Sequence, residues 1–72
     1  MQKWEYLFVV GDFSGGAWRP RVINGKVIED WKKGPTIYEA SNQLGEQGWE
    51  LVGFTVTRLI ECYRLTFKRL KQ

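Results

Sequence analysis

Histidine is absent from this chain and cysteine occurs once, at Cys62. Those two shortages remove disulfide frameworks, Cys/His zinc sites and every nucleophilic arrangement that relies on an imidazole base. They also point to a reducing setting, so the chain is expected in the cytoplasm. A long apolar run is missing as well. The chain starts Met1-Gln2-Lys3-Trp4-Glu5 and the strand-like run that follows breaks at Gly11-Asp12, too short and too charged for a signal peptide or a membrane span. Charge of one sign is scarce: the net +3 is mild and both signs are interspersed, a balance that favours ordinary solubility over nucleic-acid binding. The length of 72 residues allows a single domain, residues 1–72, whose core barely outweighs chain entropy without a metal, a disulfide or a partner subunit. What the chain has in plenty is aromatic surface. Four Trp, three Tyr and four Phe supply more rigid apolar area than one helix covers, which implies a second buried face.

The patterning predicts strands around one helix. Residues 3–10 alternate Trp4, Tyr6, Phe8 and Val10 against Lys3, Glu5, Leu7 and Val9, the period of a strand. Gly11 to Ala17, with Gly15-Gly16 inside, reads as a flexible hairpin loop. Residues 18–23 form a second strand, and Pro20 assigns it to a sheet edge because proline cannot donate to a ladder. Asn24-Gly25 is a tight-turn signal, and a brief, irregular extended piece is expected after it. Trp31 to Pro35 is a polar connector. Thr36 then opens a helix with Glu39 three residues on, the spacing of a capping box. Ile37, Ala40, Ser41 and Leu44 make a narrow apolar stripe. A left-handed Gly48 would close the helix with Leu44 and Trp49 in hydrophobic contact. Gly45 in the last turn costs helix stability, which close packing on a strand would explain. Residues 49–57 and 62–69 complete the set. Gly53 marks a bulge in the former, and Tyr63, Leu65 and Phe67 oppose Cys62, Arg64, Thr66 and Lys68 in the latter. The expected fold is α+β: a four-stranded antiparallel sheet with one helix on one face, in the order β-β-α-β-β.

Trp4-Glu5-Tyr6, Asn24-Gly25-Lys26, Leu44-Gly45, Gly48-Trp49-Glu50-Leu51-Val52 and Phe67-Lys68-Arg69 together resemble the small bacterial family catalogued as domain of unknown function 4177, over nearly the whole chain. The resemblance implies a compact α+β module that often stands alone, and it carries over no catalytic residue. The link from Arg58 to Glu61 departs from the pattern in having no Gly or Ser.

No residue is assigned a catalytic, cofactor-binding or metal-ligating role. Gly11-Asp12-Phe13-Ser14-Gly15-Gly16 imitates a protease nucleophile segment or a phosphate loop, yet it has neither a histidine partner nor a Gly-Lys-Ser/Thr ending. Asp12, Glu29 and Asp30 are spaced like solvated turn carboxylates. Arg19 and Arg21 on the predicted edge strand, with Arg64, Lys68 and Trp18, could make a basic sheet surface for single-stranded nucleic acid; edge protection explains the same charges without a ligand. Leu44 and Trp49 belong to the core, whereas Trp18 and Trp31 flank loops. The candidate interaction surface is Trp4, Tyr6, Phe8, Trp18, Arg19, Arg21 and Trp31. A stripe of Ile37, Ala40 and Leu44 cannot cover both sides of a strand that is apolar on two faces, so the leading expectation is a non-enzymatic, self-associating module, most simply a homodimer. A binder of a small amphipathic or cationic ligand is the second reading and a weak single-stranded nucleic-acid binder the third.

Overall fold

Asn24 (φ 50°) and Gly25 (φ 81°) both lie in the left-handed region, the geometry of a two-residue hairpin turn whose twist matches the strands it joins. The chain therefore returns in register instead of wandering. In the computed structural model, which describes residues 1–57 and 62–71, the strands are β1 (Trp4–Ser14), β2 (Ala17–Ile23), β3 (Lys26–Val27), β4 (Glu50–Thr57) and β5 (Cys62–Leu70), with a single 3-10 turn (Trp31–Lys33) and one α-helix, α1 (Ile37–Glu46), between β3 and β4. They form one antiparallel sheet in the order β3-β2-β1-β5-β4. The expected four-stranded sheet of order β-β-α-β-β is thus corrected to five strands. The piece after Asn24-Gly25 is brief, as its two residues require, but it is a strand, pairing Val22 with Val27 and Ile23 with Lys26. The link Arg58 to Glu61 lies outside the described residues.

The expected loop from Gly11 to Ala17 is also corrected. β1 continues to Ser14 and pairs with β2 down to Ser14 opposite Ala17, leaving only Gly15 (φ 62°) and Gly16 (φ 78°) as the turn. Gly11 serves packing: a Cβ there would fall 2.9 Å from Ile37 Cγ2, so its bare backbone is where α1 approaches the sheet. A register shift beside it, between Val10 and Gly11, leaves Arg21 as the extra residue of β2. Pro20 is buried and sits beyond the reach of the two-residue β3.

Both helix ends match their sequence signals. Thr36 Oγ1 accepts from the Glu39 amide at 3.2 Å and Glu39 Oε1 accepts from the Thr36 amide at 3.0 Å, which satisfies two otherwise orphaned donors. At the exit Gly48 has φ 90°. The amide of Trp49 donates to Leu44 O and that of Gly48 to Gly45 O, each at 3.0 Å, the paired bonds of a Schellman close. Gly45 does not pack on a strand as expected: nothing stands within 4 Å of where its Cβ would be.

Helix and sheet meet over Val9, Ile37, Leu65 and Phe67, all buried, with Leu7, Trp18, Ile23, Leu44, Trp49 and Tyr63 packed around them. Every sheet residue in that set lies on the helix side, as the pairings Leu7–Phe67 and Val9–Leu65 require. β5, late in the sequence, is an interior strand, hydrogen-bonded to β1 on one side and β4 on the other. The bulge in β4 falls at Val52, between the pairs Leu51–Phe67 and Gly53–Thr66.

Candidate interaction surfaces

The period of two in β1 sends Trp4, Tyr6, Phe8 and Val10 to the side away from the helix. There they lie opposite Leu70, Lys68, Thr66 and Arg64 of β5. Trp4 is 40 % exposed, Tyr6 52 % and Phe8 55 %, so three of the largest side chains in the chain stand in water on a flat ladder. The Lys68 ammonium sits 4.4 Å from the centroid of the Trp4 ring, a cation on an aromatic face. The bulge at Val52 turns both Val52 and Gly53 toward this side. With Phe8, Val10, Arg64 and Thr66 they line a shallow groove of about 630 Å³.

The remaining residues of the expected surface lie elsewhere. Trp18 is half-buried on the helix side, wedged edge-on between Phe13 (centroids 5.3 Å, 71°) and Tyr63 (4.7 Å, 77°). Arg19 donates to Ser14 O at 3.0 Å and Gly34 O at 2.6 Å, tying the β1–β2 turn to the segment before α1. Arg21 pairs with Asp12 at 3.0 Å and lies 5.8 Å from the Trp31 ring centroid, with Lys32 at the same distance. Arg19, Arg21 and Trp18 therefore do not join Arg64 and Lys68 in one basic sheet surface. Asp12 is held by Arg21, and among the described residues no three metal-ligating side chains cluster.

Two further features come from the way α1 sits. The guanidinium of Arg69 lies 4.2 Å from the Trp49 ring centroid and donates to the Glu5 carboxylate and, at 3.1 Å, to Gln47 O. It pins the helix exit to the start of β1 beside a cleft of about 720 Å³. The Glu39 carboxyl is pushed down from its ordinary value, first by the Thr36 amide and then by the Thr36 hydroxyl; desolvation opposes this, and the more distant charge of Arg19 adds a smaller push down. On the other flank the helix leaves the outer strand partly uncovered. Tyr38 (69 % exposed), Leu51 and Phe54 (61 %) border a groove of about 390 Å³ between α1 and β4. Sequence reasoning missed this group, although β4 signalled it: from Leu51 to Thr57 the strand has no charged residue.

No protein-family model, curated protein or solved structure matches the chain. Among the described residues no helix is long and apolar enough to cross a membrane.

Proposed function

We propose that this protein is a non-enzymatic, self-associating binding or accessory module whose open sheet face stacks against that of a second copy. The observation that carries the reading is the exposure of Trp4, Tyr6 and Phe8 on the face opposite the helix. With each ring about half exposed, the three leave roughly 300 Å² of apolar surface per copy in water. At ~25 cal/mol per Å² the two faces buried together contribute about 15 kcal/mol, near the upper end of the ~4–15 kcal/mol that association costs. The pairing is therefore concentration-dependent. Light scattering behind size exclusion at micromolar protein is expected to give a mass above that of the monomer, lowered by Tyr6→Lys with Phe8→Lys; a monomer at every concentration refutes the stacking. Membership of the family catalogued as domain of unknown function 4177 and a cytoplasmic setting, in which Cys62 stays a thiol, belong to the same proposal and rest on the sequence motifs and the cysteine count.

A second reading is supported by the Lys68–Trp4 contact. A face that already holds one cation on an aromatic ring suits a small amphipathic or cationic ligand in the adjoining groove. Tryptophan-fluorescence quenching across a panel of quaternary ammonium compounds tests it, and a flat response at millimolar ligand removes it. The third reading, single-stranded nucleic acid, lacks a continuous basic surface, since Arg19 and Arg21 are engaged locally.

A further inference from the structure

The two edges of the sheet are treated in opposite ways. At one, β3 is only two residues long, and beyond it β2 presents Arg19, Pro20 and Arg21, the short strand, charge and proline that stop a foreign strand from pairing. At the other, β4 runs eight residues with neither proline nor basic residue, and Glu50 at its start is its one charge. Leu51, Val52, Phe54 and Val56 are exposed along it at 42, 47, 61 and 47 %, and among the described residues no strand pairs with its outer side. Such an edge is a template for strand addition.

We propose that the outer edge of β4 pairs antiparallel with β4 of a second copy, about a two-fold axis at Thr55. The occupant follows from self-complementarity. Past the bulge at Val52 the strand is regular, with Phe54 and Val56 on the helix side and Thr55 on the open side, as their partners Leu65, Tyr63 and Arg64 show. Centring the two-fold on Thr55 sets Phe54 across from Val56 of the other copy on both sides of the axis, and Thr55 across from its own counterpart. These are the aromatic with β-branched and Thr with Thr combinations that stabilise neighbouring strands. Like sides of the two sheets coincide, and no basic residue of either strand meets another, although the chain as a whole is cationic. The contact is isologous and closes at two copies, which removes the unguarded edge, while the guarded β3 edge prevents further growth.

With the two-fold at Thr55 the two strands overlap over residues 53–57, about 17 Å, which is by itself a small contact. What enlarges it toward the ~1,200 Å² of a stable interface is the side-chain layer beside it. Because α1 leaves Leu51 and Phe54 of β4 exposed on the helix side, the groove they border with Tyr38 opens onto the junction. Two copies joined at β4 merge their grooves into one apolar trough between two helices on the same side of a ten-stranded sheet. This junction is perpendicular to the face stacking and does not rest on it.

Val56→Lys tests the pairing on the intact chain, since Val56 is half exposed and lies off the stacking face. Sedimentation velocity is expected to show the variant at half the mass of the parent, with faster amide hydrogen exchange across β4. Unchanged mass and unchanged exchange overturn the proposal. Loss of mass on Tyr6→Lys with Phe8→Lys reports the stacking separately, so each contact fails or stands alone. Should Val56→Lys not fold, Thr55→Cys in a Cys62→Ala background replaces it. The two-fold brings the new thiols into the Cβ range of about 4.5–5.5 Å, from which a small adjustment forms a disulfide. A covalent dimer from Thr55→Cys and none from Val27→Cys, on the guarded edge, is the expected result; equal or absent cross-linking at both overturns the pairing.

Discussion

Replacing Gly11 with alanine adds one methyl where the helix rests on the sheet. The new Cβ would lie 2.9 Å from Ile37 Cγ2, 3.5 Å from Arg19 O and 3.7 Å from Tyr63 Cβ, and the first of these is shorter than van der Waals contact allows. Relief has to come from Ile37, which is 5 % exposed, begins α1 and is pinned by the adjacent Thr36–Glu39 capping box. Its branched side chain has one strongly preferred rotamer in a helix. Overpacking of this kind costs about 1–3 kcal/mol, and in a domain of this size each kcal/mol lowers the melting temperature by roughly 4–8 °C. Urea unfolding followed by tryptophan fluorescence is a suitable assay, because Trp18 and Trp49 border the core. The clash also predicts its own rescue. Ile37→Leu keeps the volume but removes the Cγ2 branch, so Gly11→Ala should cost about 1 kcal/mol less in that background, within the usual range for residues in contact. An unchanged urea midpoint for Gly11→Ala, or equal losses in both backgrounds, would refute the assignment of Gly11 as the helix-packing position.

Gly45→Ala is expected to stabilise the protein by ~0.5–1 kcal/mol, since the site is helical and a methyl there meets nothing; a lowered urea midpoint would contradict this. The depressed Glu39 carboxyl makes a pH prediction. A group whose pKa is lower folded than unfolded adds stability that is fully present above its unfolded value and is lost as pH falls through the folded one. The wild type should therefore lose stability relative to Glu39→Gln on acidification below the ordinary carboxylate range. Parallel melting curves of the two proteins at descending pH would sink the idea.

Local signals were legible wherever one residue type has one physical use. Thr36 with Glu39, Gly48 before Trp49, and Asn24-Gly25 each specified a turn or cap that the structure contains. Glycines were misread where the reason for them is tertiary. Gly11 looked like the start of a loop because the helix that needs its missing side chain arrives from residue 37; Gly45 looked like a packing site and has no neighbour. The strand after Asn24-Gly25 reads in the sequence only as an irregular extended piece, because two residues carry no periodicity of their own and only the turn geometry makes them a strand. That Trp4, Tyr6 and Phe8 share one side of β1 was legible from alternation. The contacts that engage Trp18, Arg19, Arg21 and Trp31 were not, because Tyr63, Gly34 and Asp12 are distant in sequence or across a hairpin. The β4 flank was overlooked because its exposure depends on how far α1 reaches across the sheet, a quantity set by three-dimensional offset.

The interior position of β5, between β1 and β4, governs how the chain matures during vectorial synthesis. Residues 1–46 can supply a hairpin and a capped helix, yet the slot between β1 and β4 stays vacant until residues 62–70 have been made. Leu65 and Phe67 then enter it together, completing the ladders on both sides with partners up to 66 positions away. Pairings of such range are slow to form. A nascent chain halted before them would expose the inner margin of β1, and a folding helper would find its target there.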